Sequence, residues 1–154
     1  MLVIGRISKV VVFSLLLFSI VSPSVSAAKA IFGKVVGIES AVSVTIDDGG
    51  ARHKIRVAGI EAPADEPFAS AAKRFVTDRV LGRNVRLRFL SRSPDGELVG
   101  RLDVEDPDTG PKEVAADLVR EGLARVQPGF DRELAKAETE ARDARRGLWS
   151  ISAK

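Results

Sequence analysis

The sequence of 154 residues contains no cysteine and no tyrosine, and it has a single histidine, His53. The absence of cysteine excludes disulfide bonds and thiolate metal sites, so an apolar core must hold the fold. The absence of cysteine does not argue against export. Since a zinc site needs several clustered ligands, we interpret His53 as an incidental strand residue. Aromatic residues make up 5% of the chain, which leaves few side chains for stacking on nucleobases.

The chain also has little excess of one charge once its N-terminus is set apart. The whole sequence carries 24 Lys and Arg against 21 Asp and Glu. Residues 1–27 include two of the basic residues and no acidic residue, so the remainder has 22 against 21. Net charge therefore gives no reason to expect polyanion binding, and any such site must arise from local placement.

The longest apolar run lies at the N-terminus. Arg6 and Lys9 precede the apolar residues 10–21, and small residues follow as far as Ala28. This order is typical of a secretory signal, and the run is shorter than the about 20 residues of a membrane helix. We expect residues 1–27 to be a cleaved signal peptide and residues 28–154 to form one exported domain, periplasmic or secreted. The alternative is a membrane anchor through an uncleaved N-terminus.

Alternation and turn residues in the rest of the chain predict five strands and three helices. Strands are expected at about 31–38, 42–46, 55–60, 85–89 and 98–104. Helices are expected at about 65–82, 114–122 and 131–147, where apolar residues recur at helical spacing. One helix between the third and fourth strands and two after the fifth is the order of an α+β fold, a five-stranded OB-fold barrel with packed helices.

Residues 55–63, Ile-Arg-Val-Ala-Gly-Ile-Glu-Ala-Pro, carry the most chemically suggestive pattern. Ile55 and Val57 share one face of the predicted strand, and Arg56 lies on the other. An arginine on a rigid strand and a carboxylate, Glu61, at its end are suited to hold a phosphate and a cation. The alternative is a half-buried strand with a solvated arginine.

This stretch and three others resemble the staphylococcal nuclease family. The others are Val99-Gly100-Arg101, residues 116–126 and residues 144–149, and all occur in the family's order over about residues 30–150. The most specific is Leu-Val-Arg-x-Gly-Leu-Ala-Arg-Val. The resemblance implies an OB-fold phosphodiesterase that cleaves DNA and RNA with calcium. In that family two arginines stabilise the phosphate, two aspartates and a backbone carbonyl help hold the ion, and a glutamate acts as base toward water.

The family's two arginines fall on Arg56 and Arg101, so the phosphate-binding positions are retained. One metal-binding aspartate falls on Glu61, which keeps the charge, and the following Ala62 still offers its carbonyl. The segment with the other aspartate falls on residues 39–42, Glu-Ser-Ala-Val, so that ligand is lost. Because calcium prefers about six to eight oxygen ligands, the resemblance implies at most weak calcium binding at Glu61.

The family's general base falls on Ala64, which cannot accept a proton. Asp65 or Glu66 would be the substitutes, although acidic residues there are also typical of the first turn of a helix. A lysine and a tyrosine of the family are replaced by Leu98 and Val99. Since a general base contributes about 10²–10⁴ in rate, the resemblance implies a site with several catalytic positions substituted.

Three functions remain open, and the sequence leaves it undecided whether the protein is an enzyme. The first is an exported degenerate nuclease that binds phosphate-bearing or nucleic-acid ligands through Arg56 and Arg101 with little or no hydrolysis. Arg86 and Arg88 would extend its basic surface, and Phe130 is the best candidate for base stacking. The second is a weak or atypical calcium-dependent phosphodiesterase acting on DNA or RNA. The third is a protein-interaction module whose arginines form surface ion pairs.

Overall fold

The computed structural model describes residues 29–150, and the predicted signal peptide lies outside this range. The strands are β1 Ala30–Ser40, β2 Ser43–Asp47, β3 Arg52–Val57, β4 Ile60–Glu61, β5 Asn84–Arg92, β6 Leu98–Val104, β7 Lys112–Glu113 and β8 Arg125–Val126. The helices are α1 Phe68–Val80, α2 Val114–Arg120 and α3 Arg132–Asp143, and a 3-10 turn follows at Gly147–Ser150.

Five of these strands close into a barrel. Antiparallel pairing joins β3 to β2, β2 to β1, β1 to β5 and β5 to β6. Parallel pairing between β3 and β6 completes the ring, so the barrel has no free edge. Two register irregularities in β1 bend this long strand, which helps it to pair with β2 at one end and with β5 at the other. The predicted α+β OB-type barrel with three helices is confirmed.

The core fills the barrel and the space beneath the helices. Alternate strand residues are fully buried, among them Val44, Ile46, Ile55, Leu87 and Leu102. The helices add Val76, Leu118 and Leu134. Each such side chain contributes about 1.5–3 kcal/mol relative to its exposed state, which is how a chain without disulfides is held together.

The predicted third strand is split in two. β3 ends at Val57, and the chain then turns at Gly59, whose φ of +80° is accessible to glycine at little cost. Ile60 and Glu61 leave the barrel and pair with β8 instead. This turn leaves one end of the barrel open beside residues 55–63, the stretch with the most suggestive pattern in the sequence.

Helix α1 contacts β1 and α2 contacts β6, whereas α3 packs on α2. Asp131 begins α3, because its Oδ1 accepts the backbone N–H of Glu133 at 2.7 Å and that of Leu134 at 3.1 Å. Between residues 29 and 150, no helix has the length and apolar character needed to cross a membrane.

Asp48 organises the β2–β3 hairpin, and its titration gives a first prediction. Its carboxylate accepts the N–H groups of Gly50 and Ala51, and His53 Nε2 lies 2.8 Å away. The Gly50 N–H first, then His53 and Ala51, lower the pKa of Asp48 from 3.8 to about 2. Because the folded-state pKa is depressed, this carboxylate contributes stability above its ordinary pKa and loses it as the pH falls toward 2.

We therefore expect Asp48→Asn to flatten the decline of the Tm between about pH 5 and pH 2, since asparagine keeps an acceptor but does not titrate. Thermal melts followed by circular dichroism measure this decline. Asp95→Asn, in the β5–β6 turn, removes the same charge at another hairpin turn and is the control for the loss of a surface charge alone. A wild-type slope in Asp48→Asn would contradict the assignment.

Candidate phosphate-binding groove

A groove of about 590 Å³ opens where β3 gives way to β4. The backbone turn of residues 57–62 forms part of its lining, with Arg56 and Phe130 among its side chains. The Phe130 ring lies so close to Gly59 that a Cβ at that position would overlap it. Gly59 therefore serves two purposes. It adopts the positive φ, and its lack of a side chain leaves room for the Phe130 ring, which remains 37% exposed.

Arg56 projects from the outer face of β3 at the edge of this groove. Its Nε donates to Glu97 Oε2 at 2.9 Å, and its Nη2 lies 2.8 Å from the same oxygen. The arginine side chain is 49% exposed, so this is a surface pair worth about 0–1 kcal/mol. An anionic ligand can compete with a partner held this weakly.

Arg101 lies on the same outer face, because Val99 is the β6 partner of Arg56 and Arg101 follows two residues later. Its guanidinium, however, is held by carboxylates. Nε and Nη2 donate to the two oxygens of Glu113 at 2.8 and 2.7 Å, and Nη1 donates to Asp131 at 2.7 Å. Glu113 above all, and Asp131 with it, raise the pKa of Arg101 above its ordinary value. Arg101 is not part of the lining that holds Arg56.

The basic surface predicted beside Arg101 is compensated by acidic residues. Asp103 is buried, and its two oxygens accept from Arg88 at 2.9 Å each. Arg86 donates to the same carboxylate at 3.0 Å. With Arg101 and its two partners, this face holds three arginines against three carboxylates. Arg86 and Arg88 therefore build an ion-pair network and do not extend a cationic path.

Glu61 is the one carboxylate among the side chains that line the groove. It is exposed at the end of β4, opposite Arg125 of β8. Glu39, beside the position of the lost aspartate, accepts the hydroxyl of Thr45. Within residues 29–150, no three His, Asp or Glu side chains are grouped so as to hold a metal ion. Since calcium needs about six to eight oxygens, this donor set does not fit a calcium site.

The candidate substitute bases, Asp65 and Glu66, are not among the residues that line the groove. The Glu66 carboxylate accepts the backbone N–H of Ser70 at 3.2 Å and its hydroxyl at 2.7 Å, so it is engaged in the first turn of α1. The carbonyl of Asp65 accepts the N–H of Ala69. The start of a helix accounts for both residues.

The sequence alone does not indicate Glu97 and Glu113 as site residues. Glu97 lies 41 residues from Arg56 along the chain, and Glu113 lies 12 residues from Arg101. Strand pairing brings these groups together, β3 with β6 for Arg56 and Glu97, and β6 with β7 for Arg101 and Glu113. Phe130 was identifiable as the candidate for base stacking, and the structure places it in the groove with Arg56 and Glu61.

A closed five-stranded barrel with an arginine and an exposed aromatic ring at its mouth defines an OB-fold domain of the kind that receives ligands at one end of the barrel. A family model described as Staphylococcal nuclease homologue matches residues 54–151. The chain belongs to this family, as the four sequence segments predicted.

Three relatives illustrate the similarity. Probable endonuclease LCL3 of Schizophyllum commune is 29% identical over 117 residues, covering 62% of this chain and 40% of the relative. The protein of the same name from Debaryomyces hansenii is 32% identical over 112 residues, covering 63% and 47%. Probable staphylococcal-like nuclease CAN1 of Oryza sativa subsp. japonica is 28% identical over 104 residues, covering 66% and 30%. The chain spans less than half of the length of each of these relatives.

Proposed function

We propose that this chain is an exported domain that binds phosphate-bearing or nucleic-acid ligands beside Arg56 with little or no hydrolysis. The observation that carries the proposal is that one groove holds Arg56 and the exposed Phe130 with a single carboxylate, Glu61. An arginine suits a phosphate, and an aromatic ring suits a nucleobase. Export rests on the charged, apolar and small residues in sequence at the N-terminus.

Binding at this groove would exchange one partner of Arg56 for another. The guanidinium would turn from Glu97 to a phosphate oxygen and keep a charge-assisted hydrogen bond throughout. A base attached to that phosphate would stack on Phe130, a contact worth about 1–3 kcal/mol per base. Both contacts are independent of base identity, so we expect little sequence preference. The phosphate contact at Arg56 should make the affinity fall as the salt concentration rises.

Arg101 plays a smaller part than Arg56 in this proposal. It would reach a phosphate only by giving up Glu113 or Asp131, both of which are within 2.8 Å of it. Leaving a partly buried carboxylate without its partner is costly. Arg101 therefore stays with its carboxylates and makes no direct contact with the ligand.

Little or no hydrolysis follows from the groove's other side chains. The one carboxylate in the lining, Glu61, falls on a metal-ligand position of the family and not on the base position at Ala64, and a missing base costs about 10²–10⁴ in rate. The proposal includes no calcium-dependent step, because the donors around Glu61 do not fit the ion. The names of the relatives support the alternative of a weak phosphodiesterase, and the ion-paired arginines support a protein-interaction module.

Arg56→Ala and Phe130→Ala test the binding role. We expect Arg56→Ala to weaken binding of a labelled single-stranded oligonucleotide about tenfold, since it removes a charged hydrogen-bond donor to phosphate. Phe130→Ala should weaken it between about 5-fold and 150-fold, the range of one lost stacking contact. Fluorescence anisotropy at low salt, with and without calcium, measures both. Arg52→Ala is the matched control, an exposed arginine on β3 that does not line the groove.

The same samples separate the three functions. Gel analysis should show intact oligonucleotide after long incubation with calcium. Calcium-dependent cleavage that Arg56→Ala abolishes would establish the phosphodiesterase alternative instead. Neither binding nor cleavage by the wild-type chain would leave the protein-interaction role and overturn the proposal.

A further inference from the structure

A second groove, of about 500 Å³, lies between β8 and α3. Gln127 and Phe130 line both grooves, so the second one continues the first around the loop of residues 127–130. The paired strands β4 and β8 join the two sites as well, because Glu61 of the first groove lies opposite Arg125 of the second. The charged side chains of the second groove are Arg125, Asp131, Arg132, Glu138 and Arg142.

Both carboxylates of this groove are already engaged. Asp131 bonds Arg101 through Oδ2 and caps α3 through Oδ1. Glu138 accepts the N–H of Val126 at 3.0 Å through Oε1 and pairs with Arg142 at 3.0 Å through Oε2. These contacts neutralise every charged group in the lining except Arg125 and Arg132.

Arg125 and Arg132 are the two cations of this lining that have no carboxylate partner within residues 29–150. Both are exposed. The guanidinium of Arg125 lies 5.6 Å from the ring centroid of Trp149, and that of Arg142 lies 4.2 Å from it. Stacking on a ring steadies a guanidinium and leaves its in-plane N–H donors available to an anion.

We propose that this second groove is a phosphate subsite for the next part of a single strand, which would run from Arg56 past Phe130 to Arg125 and Arg132. The inference rests on the proposed function, because it extends the same ligand. Its chemistry follows from the order cation, aromatic ring, cation, which matches the order phosphate, base, phosphate along a strand. A ligand of several nucleotides would use both grooves, whereas a dinucleotide would use the first alone.

Ligand length is therefore the experimental variable. Affinities of the full chain for labelled oligothymidylates of two and of twelve nucleotides would be measured by anisotropy over a salt series, with a chelator present. The double variant Arg125→Gln, Arg132→Gln should weaken the twelve-nucleotide ligand about tenfold and change the dinucleotide less than about twofold. It should also reduce the salt slope for the longer ligand by about 1.4, since a single strand gives about 0.7 for each neutralised phosphate.

Two further variants serve as controls. Arg125→Lys with Arg132→Lys keeps the charges and should retain most of the affinity, which separates a lost phosphate contact from a damaged fold. Lys136→Gln removes an exposed cation of α3 that lines neither groove and should have a much smaller effect than the double variant.

The outcomes distinguish this inference from the function on which it rests. If the double variant changes both ligand lengths equally, or neither, while Arg56→Ala still weakens both, the second subsite is refuted and the proposed function stands. If the wild-type chain binds neither ligand, the proposed function fails and the second subsite fails with it.

Discussion

Replacing Arg101 with methionine is expected to lower the free energy of unfolding by about 2–4 kcal/mol. The variant keeps the aliphatic part of the side chain, but it removes the cation that pairs with Asp131 and leaves Glu113 with only Arg88, at 3.8 Å. Those carboxylate side chains are 15% and 18% exposed, so water restores only part of the lost interaction. Breaking a fully buried pair costs about 3–5 kcal/mol, and the partial exposure here lowers that figure.

The position of Arg101 explains why the effect should reach the whole domain. Glu113 immediately precedes α2, and Asp131 caps α3, so one guanidinium on β6 holds the start of both helices. Asp131 has a lowered pKa because of the Leu134 N–H first and Arg101 second. Without the arginine, the charge that caps α3 would keep its backbone donors but lose its strongest external partner.

Urea unfolding followed by circular dichroism measures the loss. Arg56→Met is the matched control, since Arg56 has one carboxylate partner and is 49% exposed, and it should cost less than about 1 kcal/mol. Arg101→Lys, which keeps a charge but not the forked geometry, should fall between the two. Similar small losses for Arg56→Met and Arg101→Met would mean that Arg101 is free to leave its carboxylates and serve a ligand directly.

The barrel was predictable because its strands carry a period of two that burial enforces. Val44 and Ile46 alternate with polar neighbours, and a register shift of one residue would point both side chains toward solvent. The third strand was predicted to end at about residue 60, three residues beyond its observed end at Val57, for a related reason. Ile60 is as apolar as the strand before it, and only the turn at Gly59 redirects it toward β8.

The site was predictable only in part. The stretch that holds Arg56, Gly59 and Glu61 is local in sequence, and it does form one wall of the groove. The partners of Arg101 are 12 and 30 residues away along the chain, so neither spacing nor composition reveals them. Arg56 and Arg101 look equivalent in the sequence but differ in the structure. Arg56 is exposed, whereas Arg101 is held by three hydrogen bonds to carboxylates.

Gly122→Ala is the second change with a large expected effect, a loss of about 3 kcal/mol in the free energy of unfolding. Gly122 has a φ of +68° at the end of α2. Its N–H bonds the carbonyl of Val119 at 2.9 Å while the N–H of Leu123 bonds that of Leu118 at 2.8 Å, the Schellman arrangement that ends a helix. An alanine would bring the strain of a left-handed backbone, about 1 kcal/mol.

The larger part of the loss comes from a close approach that the sequence does not show. A Cβ at Gly122 would overlap the backbone carbonyl of Arg146, and one at Gly147 would overlap the carbonyl of Gly122. Two glycines 25 positions apart thus allow two backbone segments to touch, joined by a hydrogen bond of 2.9 Å from Leu148 N–H to the Gly122 carbonyl. Since both partners are backbone, neither can swing aside as a side chain would.

Gly82→Ala isolates this contact. Gly82 has a similar φ of +74°, but nothing lies within 4 Å of its Cβ position, so it should lose only the strain of about 1 kcal/mol. The remaining difference of about 2 kcal/mol, measured by urea unfolding of the two variants, is the cost of separating α2 from the segment around Gly147. Equal losses would show that this segment can move away freely. Trp149, which stacks on Arg125 and Arg142, would then not be anchored by the contact, and the steadying of Arg125 in the second groove would need another source.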